Sequence, residues 1–178
     1  MLSSATTWLR FALQQMAAEA YLDQISLSDL SRVKQRLLDG NNDARFVVSD
    51  ANGNLPGMTR FANLLADRFL SEFKIIDHHA NDATGFSATL MRDTITGEYT
   101  LSFRSTEYQN QAVGGDWERD GLSGADGEIA GTGFALAQLV SMEKYYQALK
   151  ADPTRLPLGV VLNVTGYSLG GHLATVFT

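Results

Sequence analysis

The stretch from Val160 to Phe177 constrains the fold more than any other part of the chain. An apolar run, Val160-Val161-Leu162-Asn163-Val164, leads into Gly166-Tyr167-Ser168-Leu169-Gly170-Gly171-His172, and Leu169 to Phe177 is compatible with a helix. A strand that turns at once into a helix through G-x-S-x-G holds its central residue on a tight, strained turn, with the side chain exposed above the strand ends. The glycines account for the spacing, because backbone without a Cβ takes dihedrals closed to other residues and lets the helix pack close to the strand. Ser168 is therefore the candidate nucleophile; the competing reading is a plain strand-turn-helix corner.

Composition narrows what such a corner can belong to. The 178 residues are 44% hydrophobic and 19% charged, enough for a globular unit with a real core. With 14 Lys and Arg against 20 Asp and Glu, the net charge is −6, and the clustered cations of a nucleic-acid binder are missing. The chain has no cysteine, which excludes a disulfide, a thiolate nucleophile and a cysteine metal site. Met1 to Ala20 carries Arg10 in its middle and is interrupted by Gln14, Gln15 and Glu19, so it does not read as a signal peptide. No stretch approaches the roughly 20 apolar residues of a membrane span, and a soluble protein is expected. Cytosolic and secreted locations both stay open, the latter through a C-terminal signal outside this chain.

Along the chain, Trp8, Leu9, Ala12, Leu13, Met16 and Ala20 form one stripe of an amphipathic helix from Ser4 to about Leu22. A second helix, capped by Ser26 or Ser28, runs through Leu30, Val33, Leu37 and Leu38 to Gly40. Asn41-Asn42-Asp43 reads as a turn, Phe46-Val47-Val48 as a short apolar run and Asp50 to Gly57 as a loop. Thr59 caps a third helix that buries Phe61, Leu64, Leu65 and Phe69, and Phe73 to Ile76 are extended. Phe86 to Arg92 and Glu98 to Arg104 alternate about Thr94-Ile95-Thr96-Gly97 as an antiparallel hairpin, with Phe86, Ala88 and Leu90 on one face. The acidic, glycine-rich Gly114 to Gly133 reads as a solvated loop, since its carboxylates match no EF-hand spacing, and on length it is a candidate lid. Phe134 to Lys150 is a helix with Leu136, Leu139, Val140, Met142, Tyr146 and Leu149 inward, ended by Asp152-Pro153. Residues 1–80 form a mainly helical region, and 81–178 carry the strands, the long helix and Ser168.

In this order, hairpin strand, long helix, apolar strand and G-x-S-x-G resemble an α/β-hydrolase, and the details are most similar to the class 3 lipase group. Phe103-Arg104-Ser105-Thr106 stands where such lipases carry F-R-G-T or F-R-G-S, and Asp116-Trp117 with Asp120 resembles their D-W-x-x-D element. Gly133-Phe134 resembles the G-F that opens their next helix, and Gly166 to Gly171 their G-H-S-L-G-G. Ser105 replaces the usual glycine and Tyr167 the usual histidine, neither of which removes a catalytic atom. The resemblance covers about Leu101 to Ala174. It implies an α/β class with a partial α/β-hydrolase fold, in which a β-hairpin and a parallel strand lead into the nucleophile elbow after N-terminal helices. It also implies a bacterial, lipase-like carboxylic ester hydrolase acting on lipid or other acyl esters, from a group that includes long secreted chains.

Ester hydrolysis by Ser168 needs donors for the tetrahedral oxyanion and a base for the hydroxyl proton. The N–H of Leu169 is one donor and that of Thr106 the second, the Thr106 hydroxyl adding to it; Ser105 takes that place if the register slips by one. The acid and histidine that follow the serine in this fold are expected downstream, outside these residues. His172, in the first turn of the nucleophile helix, reads as a packing residue. His78 and His79, in Asp77-His78-His79-Ala80-Asn81-Asp82, precede every landmark; that cluster reads as a polar loop before it reads as a zinc or manganese site. No cofactor or metal is expected. Two further readings stand beside the hydrolase: a non-catalytic binding or assembly module derived from one, and a metal phosphoesterase centred on His78 and His79. An apolar strand ending at Val164 and left at a sheet edge invites self-association.

Overall fold

The computed structural model describes residues 4–40, 60–107 and 116–178. Asn41-Asn42-Asp43, Phe46-Val47-Val48, Asp50 to Gly57, Thr59 and the first two residues of the Gly114 stretch lie outside them. The chain belongs to the general α/β class. Helices α1 (Ser4–Ala18), α2 (Leu30–Asp39) and α3 (Asn63–Glu72) precede β1 (Phe73–His79), β2 (Ala88–Asp93) and β3 (Tyr99–Phe103). After these come α4 (Trp117–Asp120), α5 (Ala125–Thr132), α6 (Leu136–Lys150), β4 (Leu162–Gly166) and α7 (Leu169–Phe177).

The four strands form one mixed sheet in the order β1-β2-β3-β4, with β1-β2 and β2-β3 antiparallel and β3-β4 parallel. The β2-β3 hairpin turns where the sequence pattern places it. Asp93 accepts the Ile95 and Thr96 N–H groups at 2.8 and 3.0 Å, and Gly97 supplies a φ of 79°. A boundary near residue 80 falls between β1 and β2, which are neighbours in this sheet.

Side-chain alternation sorts the two faces. Ala88, Leu90, Tyr99, Leu101 and Phe103 pack with Phe86 and with Met142, Tyr145, Leu149 and Leu173 of α6 and α7. The opposite face presents Thr89, Thr100, Ser102, Asn163 and Thr165, a composition that reads as solvated. Much of it is instead buried, and α1 reaches it with polar groups. The Ser102 hydroxyl donates to Gln15 Oε1 at 2.9 Å, and Gln15 Nε2 donates to the Phe103 carbonyl at 2.9 Å.

That polar interface corrects the expected stripe on α1. The helix ends at Ala18 and buries Arg10, Leu13, Gln14 and Ala17, while Trp8 is 74% exposed and Leu9 also faces outward. Arg10 is held inside by Asp93 at 2.6 Å and by Glu72. Matching a polar helix face to a polar sheet face satisfies both sets of hydrogen-bonding groups, and this outweighs burying Trp8. The apolar part of this layer is built by Leu13, Ala17, Leu37, Phe61, Phe69, Phe73 and Met91.

Other elements shift by a few residues. Asp29, not Ser26 or Ser28, caps α2 by accepting the Arg32 N–H at 3.2 Å. Leu64 of α3 is exposed, with Ala66 and Phe69 turned in. Asp77, His78 and His79 are not loop but the end of β1. The Gly114 to Gly133 stretch is not mostly loop either, since it contains α4 and α5. Helix α6 starts at Leu136, which is exposed together with Val140, while Gln138 is buried because it donates to Asp120 at 2.8 Å and to the Thr84 carbonyl at 3.2 Å. No helix among the described residues is long and apolar enough to cross a membrane.

Candidate active site

Register places the two halves of the site side by side. Phe103 of β3 pairs with Gly166 of β4, so Thr106 and Ser168, three and two residues further on, leave adjacent parallel strands at the same end of the sheet. Helix α7 then folds back against β3 through its glycines. A Cβ on Gly170 would lie 2.3 Å from the Phe103 carbonyl oxygen and 2.8 Å from that of Arg104, and one on Gly166 would lie 1.9 Å from the Gly170 oxygen. Gly171 has no such constraint, its nearest neighbour being 3.4 Å away. Two of the three glycines thus bring the first turn of α7 onto the end of β3.

Ser168 occupies the corner with φ 52° and ψ −121°, a conformation costing about 1–3 kcal/mol for a residue with a Cβ. It is exposed, and among the described residues its hydroxyl has no hydrogen-bond partner. The strain stays because the glycine contacts on either side leave the turn no other path. Leu169 is the first residue of α7, where an N–H has no intrahelical acceptor and lies at the positive end of the helix dipole. Its side chain is buried among Ala125, Ile129 and Ala135, which seats α5 over this turn.

Across from this turn, the segment after β3 is tied from several directions. Arg104 N–H donates to the Ser87 carbonyl at 3.1 Å. Ser105 gives its N–H to Glu19 at 3.1 Å and its hydroxyl at 2.6 Å. Glu107 N–H donates to Asp120 at 3.0 Å, and the Thr106 hydroxyl to Asp126 at 3.0 Å. Among the described residues the Thr106 N–H has no partner, the one amide from Arg104 to Glu107 so placed. The Arg104 guanidinium is buried over the Tyr21 ring, 4.1 Å from its centroid, and pairs with Glu107 at 2.9 Å.

Several carboxyls around this segment are pushed upward. Burial raises Glu19 against the opposing pull of Ser105, Arg104 and Gln15. Burial also pushes Asp120 up to about 8, with the Asp116 and Glu107 charges adding to it. Asp116, buried and paired with Arg119, is pushed up to about 6 for the same first reason.

The histidines lie elsewhere. His78 bonds Thr89 at 3.0 Å through Nδ1 and Asp23 at 2.8 Å through Nε2, so both ring nitrogens are occupied within the protein. His79 packs against the Tyr145 ring, centroids 4.8 Å apart and tilted by 38°, and lies 3.5 Å from Asp82. It shares a cross-sheet row with Gly166 but three strand spacings away, about 14 Å. His172 meets the edge of Phe134 at 6.1 Å, and its Nε2 is buried with no hydrogen-bond partner among the described residues. The His172 N–H donates to the Ser168 carbonyl at 3.1 Å as a ladder bond of α7, but none of the three imidazoles hydrogen-bonds the Ser168 hydroxyl. No group of three or more histidine and acidic side chains among the described residues is arranged to hold a metal ion.

Comparison with family models, with curated proteins and with solved structures finds no match for this chain. The functional argument therefore stands on the corner itself. Ser168 and Leu169 follow β4, and Thr106 follows β3, at the same end of the sheet. Glu19, Asp120 and Asp126 had not been assigned to the site. For Glu19 the usable signal was Ser105, a hydroxyl where the lipase pattern has glycine.

Proposed function

We propose that this chain carries the nucleophile and oxyanion donors of a serine carboxylic ester hydrolase acting on lipid or other acyl esters, on a partial α/β-hydrolase fold. The observation that carries the reading is Ser168: exposed, at positive φ, and held there by glycines that cannot accept a Cβ. A folded chain keeps a strained polar residue at such a corner where strain serves chemistry. The partnerless Thr106 N–H and the helix-terminal Leu169 N–H support it, as does the likeness of the surrounding motifs to the class 3 lipase group.

In this mechanism Ser168 Oγ attacks the ester carbonyl carbon while a base takes its proton, and the carbonyl oxygen becomes an oxyanion held by the Leu169 and Thr106 N–H groups. Collapse breaks the bond to the alcohol, which leaves with the proton returned by the base, and water then releases the acid by the same steps. Removing one oxyanion donor raises the barrier by about 3 kcal/mol. No imidazole of the described residues hydrogen-bonds the Ser168 hydroxyl, so the source of the base is what the test below must find.

The test is intact mass after exposure to a serine-directed fluorophosphonate, with and without imidazole as an external base, for the chain and for Ser168→Ala. A stoichiometric adduct with imidazole that Ser168→Ala abolishes is the expected result. An adduct without imidazole means that a base is supplied within the chain or by a second copy. No adduct under either condition on folded protein refutes the reading and leaves the non-catalytic module, which the unpartnered serine also fits. The metal phosphoesterase reading has nothing on its side, because His78 spends both nitrogens on Asp23 and Thr89.

A further inference from the structure

An oxyanion hole works only if its donors point at the developing charge before reaction, so the residues that fix a donor's direction matter as much as the donor. Thr106 is the third residue after β3, beyond the sheet ladder, and a short segment there has no regular structure to aim its amides. Its direction comes from its neighbours. On one side Ser105 is held twice by Glu19, through N–H and hydroxyl, and on the other Glu107 N–H is held by Asp120.

Glu19 is itself rigid. It follows the last turn of α1, is 2% exposed, accepts from Gln15 Nε2 at 2.7 Å, and faces the buried Arg104 charge. Gln15 in turn bonds Phe103 and Ser102, so the end of α1 grips β3 and the segment after it at four points. A glutamate this buried, with its oxygens spent on Ser105 and Gln15, costs desolvation that its contacts must offset. Here it holds the peptide plane before the Thr106 amide, Asp120 holding the one after it, and among the described residues that amide is left without a partner.

We propose that Glu19 is a positioning residue for the reaction: by clamping Ser105 it turns the Thr106 N–H toward the oxyanion above Ser168. This rests on the hydrolase reading and deepens it. Ser105 is what makes the clamp specific to this chain, since a glycine there would offer Glu19 an N–H but no hydroxyl. Glu19 touches no substrate, and its effect travels through one peptide unit.

The experiment measures the rate constant and the half-saturation concentration for Ser168 phosphonylation by a fluorophosphonate, in imidazole buffer. Glu19→Ala is expected to slow the step about 10- to 100-fold, the range that a misplaced donor costs, with half-saturation changed less than about twofold. Glu19→Gln keeps an acceptor for the Ser105 N–H and is expected to stay within about fivefold of the wild-type rate. Ser105→Gly, which removes the hydroxyl bond without touching α1, guards against a Glu19 variant that does not fold and is expected to fall between the two. Rates for Glu19→Ala and Ser105→Gly equal to wild type overturn the positioning role while leaving the hydrolase reading intact. A loss carried entirely by half-saturation also overturns it. A wild-type chain that does not label at all removes both.

Discussion

Gly170 and Gly171 sit next to each other at the start of α7, yet the structure assigns them opposite sensitivities. A methyl group at Gly170 would be driven to 2.3 Å from the Phe103 carbonyl oxygen and 2.8 Å from that of Arg104, both backbone atoms of a central strand and its exit, which cannot swing aside as a side chain can. The helix must lift from β3. Overpacking of this kind costs about 1–3 kcal/mol, and with no flexible neighbour the upper part of that range applies. For a domain whose urea m-value is about 2 kcal/mol/M, a cost of about 2–3 kcal/mol lowers the unfolding midpoint by roughly 1–1.5 M. The same lift separates Leu169 from Thr106, so Ser168 phosphonylation should drop by about a hundredfold even in folded protein. At Gly171 the nearest atom to an added Cβ is 3.4 Å away, an ordinary contact, and the residue lies inside a helix where alanine is favoured by up to about 1 kcal/mol. Gly171→Ala should therefore keep or raise the midpoint and keep the labelling rate. Urea titration followed by circular dichroism, with labelling under native conditions, compares the pair. Equal midpoints for Gly170→Ala and Gly171→Ala would show that α7 does not rest on β3 as described, and the argument for a preassembled site would fall with it.

Ser168→Gly should abolish labelling while raising the urea midpoint, because glycine takes φ 52° without the cost a Cβ imposes; a lowered midpoint would mean that the corner stores no strain. Stability should fall between pH 5 and 9. The folded-state values of Asp116 and Asp120, about 6 and about 8, lie above the ordinary aspartate value of 3.8, so the stability they contribute is complete below about pH 4 and is lost as pH rises through each. Asp23, Asp82 and Asp93 are held below their ordinary values and act in the opposite sense only as pH falls under about 4. Urea midpoints that stay flat or climb from pH 5 to 9 contradict this assignment. Among the described residues β4 forms an edge of the sheet, with Val161 just before it exposed, so concentration-dependent association is expected by light scattering and should weaken in Val161→Lys; a wild-type monomer at all concentrations counts against it.

The sequence by itself determined the elements whose cause is local. Helix α7, the β2-β3 hairpin and its turn, and the corner at Ser168 each follow from residues within a few positions of one another: glycines that permit the backbone, a capping aspartate, apolar residues at period two. Ser168, Leu169 and Thr106, the groups proposed for the reaction, could be picked out for the same kind of reason, since each sits at a fixed offset from a strand end. What lay beyond reach was the choice of which helix face turns inward. Alternation marks Thr100, Ser102 and Thr165 as polar, but whether water or another element meets that face is decided at long range, and here it is α1 that brings Arg10, Gln14 and Gln15. The phase of α6 was set in the same way by Gln138 reaching Asp120. Glu19 joins Ser105 across 86 residues of sequence, a contact that no local pattern encodes. Local chemistry therefore set the corner at Ser168 and the strand ends beside it, and tertiary contact between buried polar side chains decided which elements pack around them.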